Sequence, residues 1–157
     1  MISVGDSIPA ATITAITKDG QDNVSASDFF AGNKVVLFAL PGAFTPTCSE
    51  AHLPGFVVNY DEIKAKGVDT VACLSVNDAF VMKAWQAAQN AENLTMIADG
   101  GGALTQAMDL VLDTGDFGGQ RSQRYSMIVD NGTVTHINVE EGGNFEVSNA
   151  ETILSQL

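Results

Sequence analysis

The sequence from residue 34 to residue 48 reads KVVLFALPGAFTPTC, in which an unbroken apolar run stops at a Pro-Gly pair. A continuous apolar run of this length is typical of a central strand that is buried on both faces. Because proline cannot donate to the hydrogen bonds of a central strand, we expect this strand to end at Pro41. Thr47 and Glu50 have the spacing of a capping box, which predicts a helix with Thr47 as its N-cap and Cys48 as its first residue.

The same alternation of strand and helix continues along the chain. The dipeptide Asn131-Gly132 predicts a tight hairpin turn, and Ser148 with Glu151 predicts the N-terminus of a last helix. Further strands are predicted at residues 68–76, 94–98, 124–130 and 133–140. Strand–helix units followed by a hairpin and a helix predict an α/β fold in which helices cover both faces of a sheet, a three-layer α/β/α arrangement.

Length and charge bound the range of functions. At 157 residues the chain is expected to form a single domain over residues 1–157. Its 7 basic and 19 acidic residues give a formal charge of −12 at pH 7. Nucleic acids and anionic membranes attract clustered lysine and arginine, so neither is expected as a partner. The apolar runs are far shorter than the roughly 20 residues of a membrane-spanning helix.

The cysteine count points to the cellular compartment. The two cysteines, Cys48 and Cys73, are too few for the disulfide framework of a small secreted protein. Residues 1–17 lack the basic start and the long apolar centre of a secretory signal. We therefore expect a protein of the reducing cytoplasm.

Cys48 is the candidate nucleophile. The free backbone N–H groups and the positive dipole at a helix N-terminus favour a thiolate, which is the reactive form of cysteine. The acidic background opposes a thiolate, so a reactive Cys48 needs a cation nearby. Arg121 and Arg124 are the two closely spaced arginines, and of these we expect Arg121 to be solvated. Cysteine is also a common buried apolar residue, so an inert Cys48 stays open as an alternative.

His52 lies four residues after Cys48, on the same face of the predicted helix. Three interpretations remain: a Cys–His hydrolytic pair, two ligands of a metal ion, or a local packing and electrostatic role, which we favour. A metal ion needs a third or fourth ligand, and the sequence suggests no further His/Cys cluster. Cys73 lies in the apolar segment VACLSV, where a buried and inert thiol is expected.

A family resemblance rests on four segments. Residues 41–56, PGAFTPTCSEAHLPGF, carry the pattern Pro-x-x-x-Thr-x-x-Cys, and residues 72–80, 124–126 and 138–140 extend the match. Over nearly the whole chain the sequence resembles the type II peroxiredoxins, a group that includes the atypical mammalian fifth class and the plant type II enzymes. The resemblance implies a thioredoxin-like fold with a central mixed sheet, and a thiol-dependent peroxidase without haem, flavin or metal.

The resemblance also implies a role for each matching residue. Cys48 would attack the O–O bond of hydrogen peroxide or an alkyl hydroperoxide and become a sulfenic acid. Thr45 would hydrogen-bond the peroxide and the thiolate, and Pro41 would shield the site from water. Arg124 would supply the cation that stabilises the thiolate and the charge on the breaking bond. Two further positions match the pocket of the group, His52 and Phe117.

The chain differs from part of this group in the residue that could reduce the Cys48 sulfenic acid back to the thiol. In the mammalian class a second cysteine closes an intramolecular disulfide, but Val147 stands at the matching position. The plant enzymes have a cysteine that matches Cys73, and they are commonly reduced by glutaredoxin with glutathione. Because a disulfide needs Cα atoms within about 7 Å, resolution by Cys73 would demand local unfolding of its strand. We therefore favour an external reductant, glutathione with glutaredoxin or else thioredoxin, and the resemblance implies a homodimer.

Two other functions stay open from the sequence. A redox-sensing or holdase module could use the same fold with little peroxidase turnover, and a Cys–His hydrolase would use Cys48 and His52 differently. Steady-state consumption of peroxide with a thiol reductant would distinguish a peroxidase from the redox-sensing or holdase module. Absence of ester and amide cleavage by the purified protein would exclude the hydrolase.

Overall fold

A computed structural model describes all 157 residues, and its framework is one seven-stranded sheet beside a separate two-stranded ribbon. The strands are β1 (Thr12–Thr17), β2 (Gly20–Ser25), β3 (Lys34–Ala39), β4 (Thr70–Ser75), β5 (Thr95–Ala98), β6 (Val111–Asp113), β7 (Gln120–Ser122), β8 (Tyr125–Asp130) and β9 (Thr133–Val139). The helices are α1 (Ala26–Phe30), α2 (Leu53–Val58), α3 (Tyr60–Ala65), α4 (Ala79–Ala88), α5 (Ala103–Ala107) and α6 (Ala150–Gln156). A π-helical turn, Cys48–His52, directly precedes α2.

The apolar run forms an interior strand, as predicted. The order in the large sheet is β2-β1-β5-β4-β3-β8-β9, so β3 lies between β4 and β8. It pairs with β4 in parallel and with β8 in antiparallel orientation, which makes the sheet mixed. All residues of β3 after Lys34 are buried. This is the burial that a continuous apolar strand requires.

Alternate residues of the interior strands face two separate core clusters. Val36 and Cys73 pack in the cluster that α2, α3, α4 and α6 cover, whereas Leu37 and Leu74 pack in the cluster that α1 and α5 cover. The predicted three-layer α/β/α fold is therefore confirmed. The longest helix, α4, has 10 residues, and none of the helices combines the length and apolarity that a membrane crossing needs.

The predicted hairpin is present, with a bulge that the sequence does not announce. Asn131 and Gly132 both have positive φ, 49° and 79°, as a tight two-residue turn requires. Near the turn Val129 pairs with Val134, but the next pair along β8 joins Ile128 to His136. The extra residue in β9 shifts the register by one position and changes which side chains of β9 share a face with those of β8.

Both predicted capping boxes are wrong. Thr47 has helical φ and ψ of −63° and −36° and makes no side-chain cap. The helical conformation already begins at Pro46, so Cys48 lies in the first turn and not at its first position. At the last helix the cap is Asn149, whose side chain accepts from the Thr152 N–H at 2.8 Å.

Candidate active site

The loop that follows β3 is held from the neighbouring strand. The parallel strands β3 and β4 end at the same edge of the sheet. At that edge the Ala43 N–H donates to Asn77 Oδ1 at 3.0 Å, and the same oxygen accepts from the Ser75 hydroxyl at 2.6 Å. Phe44 has a φ of 64°, in the left-handed region that side chains rarely adopt. The loop therefore has a specific, partly strained conformation, as functional loops often do.

The π-helical turn holds Cys48 and His52 in one buried layer. Its defining bond runs from the Leu53 N–H to the carbonyl of Cys48, five residues earlier. Pro54 comes next and has no N–H, so the α-helical bond that it would otherwise donate is missing. Cys48 is 1% exposed and His52 is 0% exposed. Single π-helical turns of this kind are frequent at functional sites.

Arg124 reaches both of these side chains. It directly precedes β8, where Tyr125 pairs with Ala39, so it comes alongside the end of β3. Its Nη2 donates to Cys48 Sγ at 3.2 Å, and its Nη1 lies 2.9 Å from His52 Nδ1. The structure thus brings a thiol, an imidazole and a permanent cation together in an otherwise acidic chain.

These contacts fix the tautomer of His52. A guanidinium has only donors, so His52 Nδ1 must accept from Arg124 and the ring proton must sit on Nε2. Nε2–H then donates to the carbonyl of Ser148 at 3.0 Å. Burial, together with the charge of Arg124, lowers the pKa of His52 to about 3. His52 is therefore a neutral ring at physiological pH.

The geometry does not fit a Cys–His hydrolytic pair or a metal site at Cys48 and His52. Both ring nitrogens of His52 are used on Arg124 and Ser148, so neither contacts Cys48 Sγ, as a hydrolytic base would. For a metal site the cluster is also too small: no group of three or more His, Cys, Asp or Glu side chains could hold an ion. What remains of the three is the packing and electrostatic role.

Aromatic rings enclose His52 and one face of Arg124. The ring centroids of Phe38, Phe56 and Phe145 lie 5.1, 5.8 and 5.0 Å from that of His52. The guanidinium carbon of Arg124 lies 5.8 Å from the centroid of Phe145, within the range of a cation–π contact. This apolar wall accounts for the desolvation of the imidazole.

Three other predicted residues have different outcomes. The hydroxyl of Thr45 donates to the carbonyl of Gly42 at 2.7 Å and not to Cys48 Sγ. Pro41 and Arg124 line a cavity of about 220 Å³ beside the site. Phe117 is 86% exposed, so the structure does not bring it into the pocket of this chain. Its loop between β6 and β7 carries it away from the core.

Cys73 lies in the interior of the sheet. Within β4 it is flanked by Phe38 of β3 and Met96 of β5, and it is 0% exposed. Burial raises the pKa of its thiol well above the ordinary value, and the neighbouring Cys48 adds to the increase. Both cysteines are free thiols.

The prediction that Arg121 is solvated is wrong. Its Nε donates to the carbonyl of Gly118 at 3.0 Å, and its Nη1 donates to that of Val76 at 3.3 Å. A Cβ at Gly118 would lie 2.9 Å from Nη2, so a larger residue there would displace this guanidinium. Arg121 ties the loop before β7 to the end of β4, which leaves Arg124 as the cation at Cys48.

The sequence predicted no role at this site for Glu140, Phe145 or Ser148. The Glu140 carboxylate accepts from the Ser148 hydroxyl at 2.7 Å, and Ser148 in turn accepts from His52. One signal was available, because Glu140 ends the predicted hairpin close to Arg124. Without the bulge, however, Val139 and not Glu140 would stand opposite Arg124.

The chain is similar to known redox proteins over almost its whole length. A family model described as Redoxin matches residues 3–154. Peroxiredoxin-2D of Arabidopsis thaliana is 48% identical over 159 residues, which cover 99% of this chain and 98% of that protein. Peroxiredoxin-2C of rice, Oryza sativa subsp. japonica, is 47% identical over 161 residues, with the same coverage. A crystal structure of reduced Prx3 from Vibrio vulnificus in complex with H₂O₂ shares 60% identity, covers 99% of each chain and superposes with a TM-score of 0.96.

Proposed function

The chain belongs to the Redoxin family and, within it, to the peroxiredoxins, and from this premise we propose that Cys48 is its peroxidatic cysteine. As a peroxiredoxin it is a thiol peroxidase. The observation that carries the choice of Cys48 is the 3.2 Å contact from Arg124 Nη2 to its sulfur. Cys48, unlike Cys73, thus accepts a hydrogen bond from a permanently charged group.

The reaction uses the contacts of Arg124. The Cys48 thiolate attacks one oxygen of the peroxide, so that an S–O bond forms while the O–O bond breaks. The leaving hydroxide or alkoxide takes up a proton and departs as water or an alcohol, and Cys48 is left as a sulfenic acid. The guanidinium stabilises first the thiolate and then the negative charge that develops on the leaving oxygen.

Thr45 and Pro41 shape the peroxide position in this proposal. The single O–H of Thr45 is used on the Gly42 carbonyl, so its oxygen serves as the acceptor for the O–H of a hydroperoxide. Pro41 forms an apolar part of the cavity wall next to Arg124, which limits the access of water. Pro41 and Arg124, but not Cys48 or Thr45, line the cavity of about 220 Å³. We propose alkyl hydroperoxides as further substrates because the resemblance to the type II peroxiredoxins implies them.

We propose that an external thiol regenerates Cys48. Cys73 is hydrogen-bonded into an interior strand between two neighbours, and a disulfide with it would need that strand to open. Glutathione avoids this cost: its thiolate attacks the sulfenic sulfur and releases water, and a second thiol then returns Cys48 and forms a disulfide. Glutaredoxin with glutathione is the favoured reductant, and thioredoxin is the alternative.

The same chemistry suggests a cytoplasmic location. Both thiols are free and no disulfide supports the fold. A glutathione-dependent cycle also needs a compartment in which thiols stay reduced. We therefore keep the cytoplasm as the proposed compartment.

We further propose a homodimer that covers an aromatic edge. Phe44, Phe80 and Phe117 are 56%, 88% and 86% exposed. The loop of Phe44 is hydrogen-bonded to Asn77. Arg121 of β7 donates both to Gly118, next to Phe117, and to Val76. Because Val76 and Asn77 lie just before α4, both loops border the start of the helix that carries Phe80. Exposed aromatic clusters of this kind are typical of protein interfaces. Phe80→Lys should shift sedimentation towards the monomer, whereas Val58→Lys, at an exposed site on α2, should not.

Intact mass after one equivalent of peroxide, without added thiol, tests the assignment of Cys48. We expect the mass of one added oxygen, mapped to the peptide that contains Cys48, and the same result in the Cys73→Ser variant. Oxygen on the Cys73 peptide would contradict the assignment. Loss of two hydrogens, the mark of a disulfide, would contradict the external reductant.

Steady-state assays test the reductant. Peroxide consumption is measured with glutathione and glutaredoxin, and separately with thioredoxin and its reductase. We expect the faster turnover with glutaredoxin. A chain that forms the sulfenic acid but turns over with neither system would fit the redox-sensing alternative, which its relatives do not favour.

A further inference from the structure

Glu140 stands directly opposite Arg124 at the open end of the β8–β9 hairpin. Its backbone N–H donates to the carbonyl of Arg124 at 3.0 Å. Because of the bulge in β9, this position belongs to Glu140 and not to Val139. The residue is 6% exposed, which is unusual for a glutamate.

The carboxylate of Glu140 closes a loop. Its Oε2 accepts from the Ser148 hydroxyl at 2.7 Å and from three consecutive backbone N–H groups, those of Glu146, Val147 and Ser148, at 2.8–2.9 Å. Oε1 accepts from the Glu146 N–H as well, at 3.0 Å. The one ion pair of the structure joins the Met1 amino group to Asp109, so these dipoles, and not a cation, hold the charge.

These hydrogen bonds keep the carboxylate ionised. Burial alone would raise the pKa of Glu140, but the bonds from the Ser148 hydroxyl and from the backbone N–H groups hold it below its usual range. Every hydrogen-bond partner of this carboxylate is an N–H or O–H donor. The ionised form fits them because both of its oxygens are acceptors.

The loop that Glu140 closes supplies two groups to the active site. The Ser148 carbonyl accepts from His52, and the ring of Phe145 faces both His52 and Arg124. Within residues 141–147 the backbone makes one internal hydrogen bond, from the Asn144 N–H to the Glu141 carbonyl. The conformation of this glycine-containing loop thus depends on the Glu140 carboxylate.

We infer that Glu140 is a positioning residue for the peroxidase, acting on Cys48 through Ser148, His52 and Arg124. The anchored Ser148 carbonyl holds the proton of His52 on Nε2, which leaves Nδ1 to accept from Arg124 Nη1. This fixes the rotation of the guanidinium so that Nη2 faces Cys48 Sγ. The inference rests on the proposed roles of Cys48 and Arg124.

The test compares Glu140→Gln with Glu141→Gln. Both changes remove one negative charge from adjacent residues, but Glu141 is exposed and its carboxylate makes no hydrogen bond. In Glu140→Gln an amide N–H₂ replaces one acceptor among the N–H donors, so the loop loosens. We expect the second-order rate of Cys48 with hydrogen peroxide to fall about tenfold in Glu140→Gln and to stay unchanged in Glu141→Gln.

A second readout follows His52 itself. The chain has two histidines, so ¹H–¹⁵N spectra can resolve His52, with His136 on β9 as an internal reference. In the wild-type protein and in Glu141→Gln, His52 should keep its proton on Nε2 from about pH 8 to about pH 5. In Glu140→Gln it should show a mixture of tautomers or begin to titrate, while the His136 signals match those of the wild-type protein at each pH. A purely structural loss of stability would not change the tautomer of the folded protein.

Ser148→Ala provides a milder variant should Glu140→Gln fail to fold. It removes one of the donors to Oε2 and leaves the carbonyl in place, and we expect a loss of about two- to threefold with the same change at His52. Wild-type rates and wild-type His52 signals in both variants, or an equal loss in Glu141→Gln, would overturn the inference. A wild-type protein without peroxide reaction would instead refute the proposed function, and the His52 spectra would still report on the loop.

Discussion

Cys48 and Cys73 carry the same thiol, are 1% and 0% exposed, and pack in the same core layer on one face of the sheet. Their neighbours differ. Cys48 lies in a π-helical turn at the sheet edge, with Arg124 Nη2 at 3.2 Å from its sulfur. Cys73 lies within an interior strand, paired on both sides, and its sulfur has no hydrogen-bond partner. The proposed division of labour between the two thiols thus follows their neighbours and not their burial.

The comparison shows what a buried thiol needs in order to react. Removing a charge from water is costly unless a partner compensates it, which is why burial raises the pKa of Cys73. At Cys48 a guanidinium provides that partner, and it is fixed on its other side by His52. The two sites differ in access as well, because a turn at a sheet edge can move without breaking the pairing of two strands.

The largest expected effect comes from the same substitution at each cysteine. Cys48→Ser should reduce peroxide consumption to background, because a hydroxyl is a far weaker nucleophile than a thiolate. Cys73→Ser should keep the wild-type rate of the first oxidation step. Stopped-flow measurement of peroxide consumption with each reduced variant checks both. Substantial consumption by Cys48→Ser would end the distinction between the two thiols.

A smaller but still large effect is expected from the cation. Arg124→Lys keeps the charge but cannot donate to Cys48 and His52 together, because an ammonium lacks the planar fork of a guanidinium. We expect the rate with peroxide to fall by about 10²–10³, the typical loss when a donor to a developing charge is removed. Arg121→Lys is the matched control, since that guanidinium contacts carbonyls outside the site. Equal losses in the two variants would mean that Arg124 acts through folding and not through Cys48.

The region around Cys48 was predictable from the sequence to the extent that it depends on local pattern. The apolar run of β3 and its stop at Pro41 predict a sheet edge, and the resemblance to the type II peroxiredoxins implies that Arg124 is the cation at Cys48. The first hairpin was not predicted, because β2 consists mainly of exposed polar residues without apolar alternation. A strand of this kind leaves no periodic signal in the sequence.

Parts of the site that depend on tertiary context were missed. A capping-box pattern at Ser148 gave the wrong helix start, since the serine hydroxyl binds Glu140 and Asn149 caps the helix instead. Glu140 reaches this loop because β9 has a bulge opposite Ile128 and Val129. An extra residue in one strand of a pair has no simple sequence signature. One part of the aromatic wall around His52 is Phe145, which is distant in sequence and was not predicted to lie there.

Acid should weaken the Cys48 region through His52. Its pKa is about 3 in the folded protein against an ordinary 6.5, so between these values the unfolded chain binds a proton that the folded chain excludes. Stability therefore falls as the pH is lowered below about 6.5, and we expect a loss of about 2 kcal/mol between pH 7 and pH 5.

Urea unfolding at the two pH values measures this loss. His52→Asn should be less stable overall but should lose much less between pH 7 and pH 5 than the wild-type protein does. His136→Asn, the same substitution at the other histidine, should retain the full loss. A wild-type pH dependence in His52→Asn would show that another group is responsible.

The smallest expected effect is a difference in stability between the two serine variants. At Cys73 a buried hydroxyl would have no partner, and an unsatisfied polar group costs about 1–3 kcal/mol. At Cys48 the new hydroxyl can accept from Arg124 Nη2, which already donates to the sulfur there. We therefore expect Cys73→Ser to lower the free energy of unfolding by about 1 kcal/mol more than Cys48→Ser does, at a pH near 7 where His52 is neutral in both. Cys73→Ala and Cys48→Ala, which add no polar group, should differ less in their free energy of unfolding. If the two alanine variants differ as much as the two serine variants, the asymmetry reflects packing volume and not the hydrogen-bonding cation at Cys48.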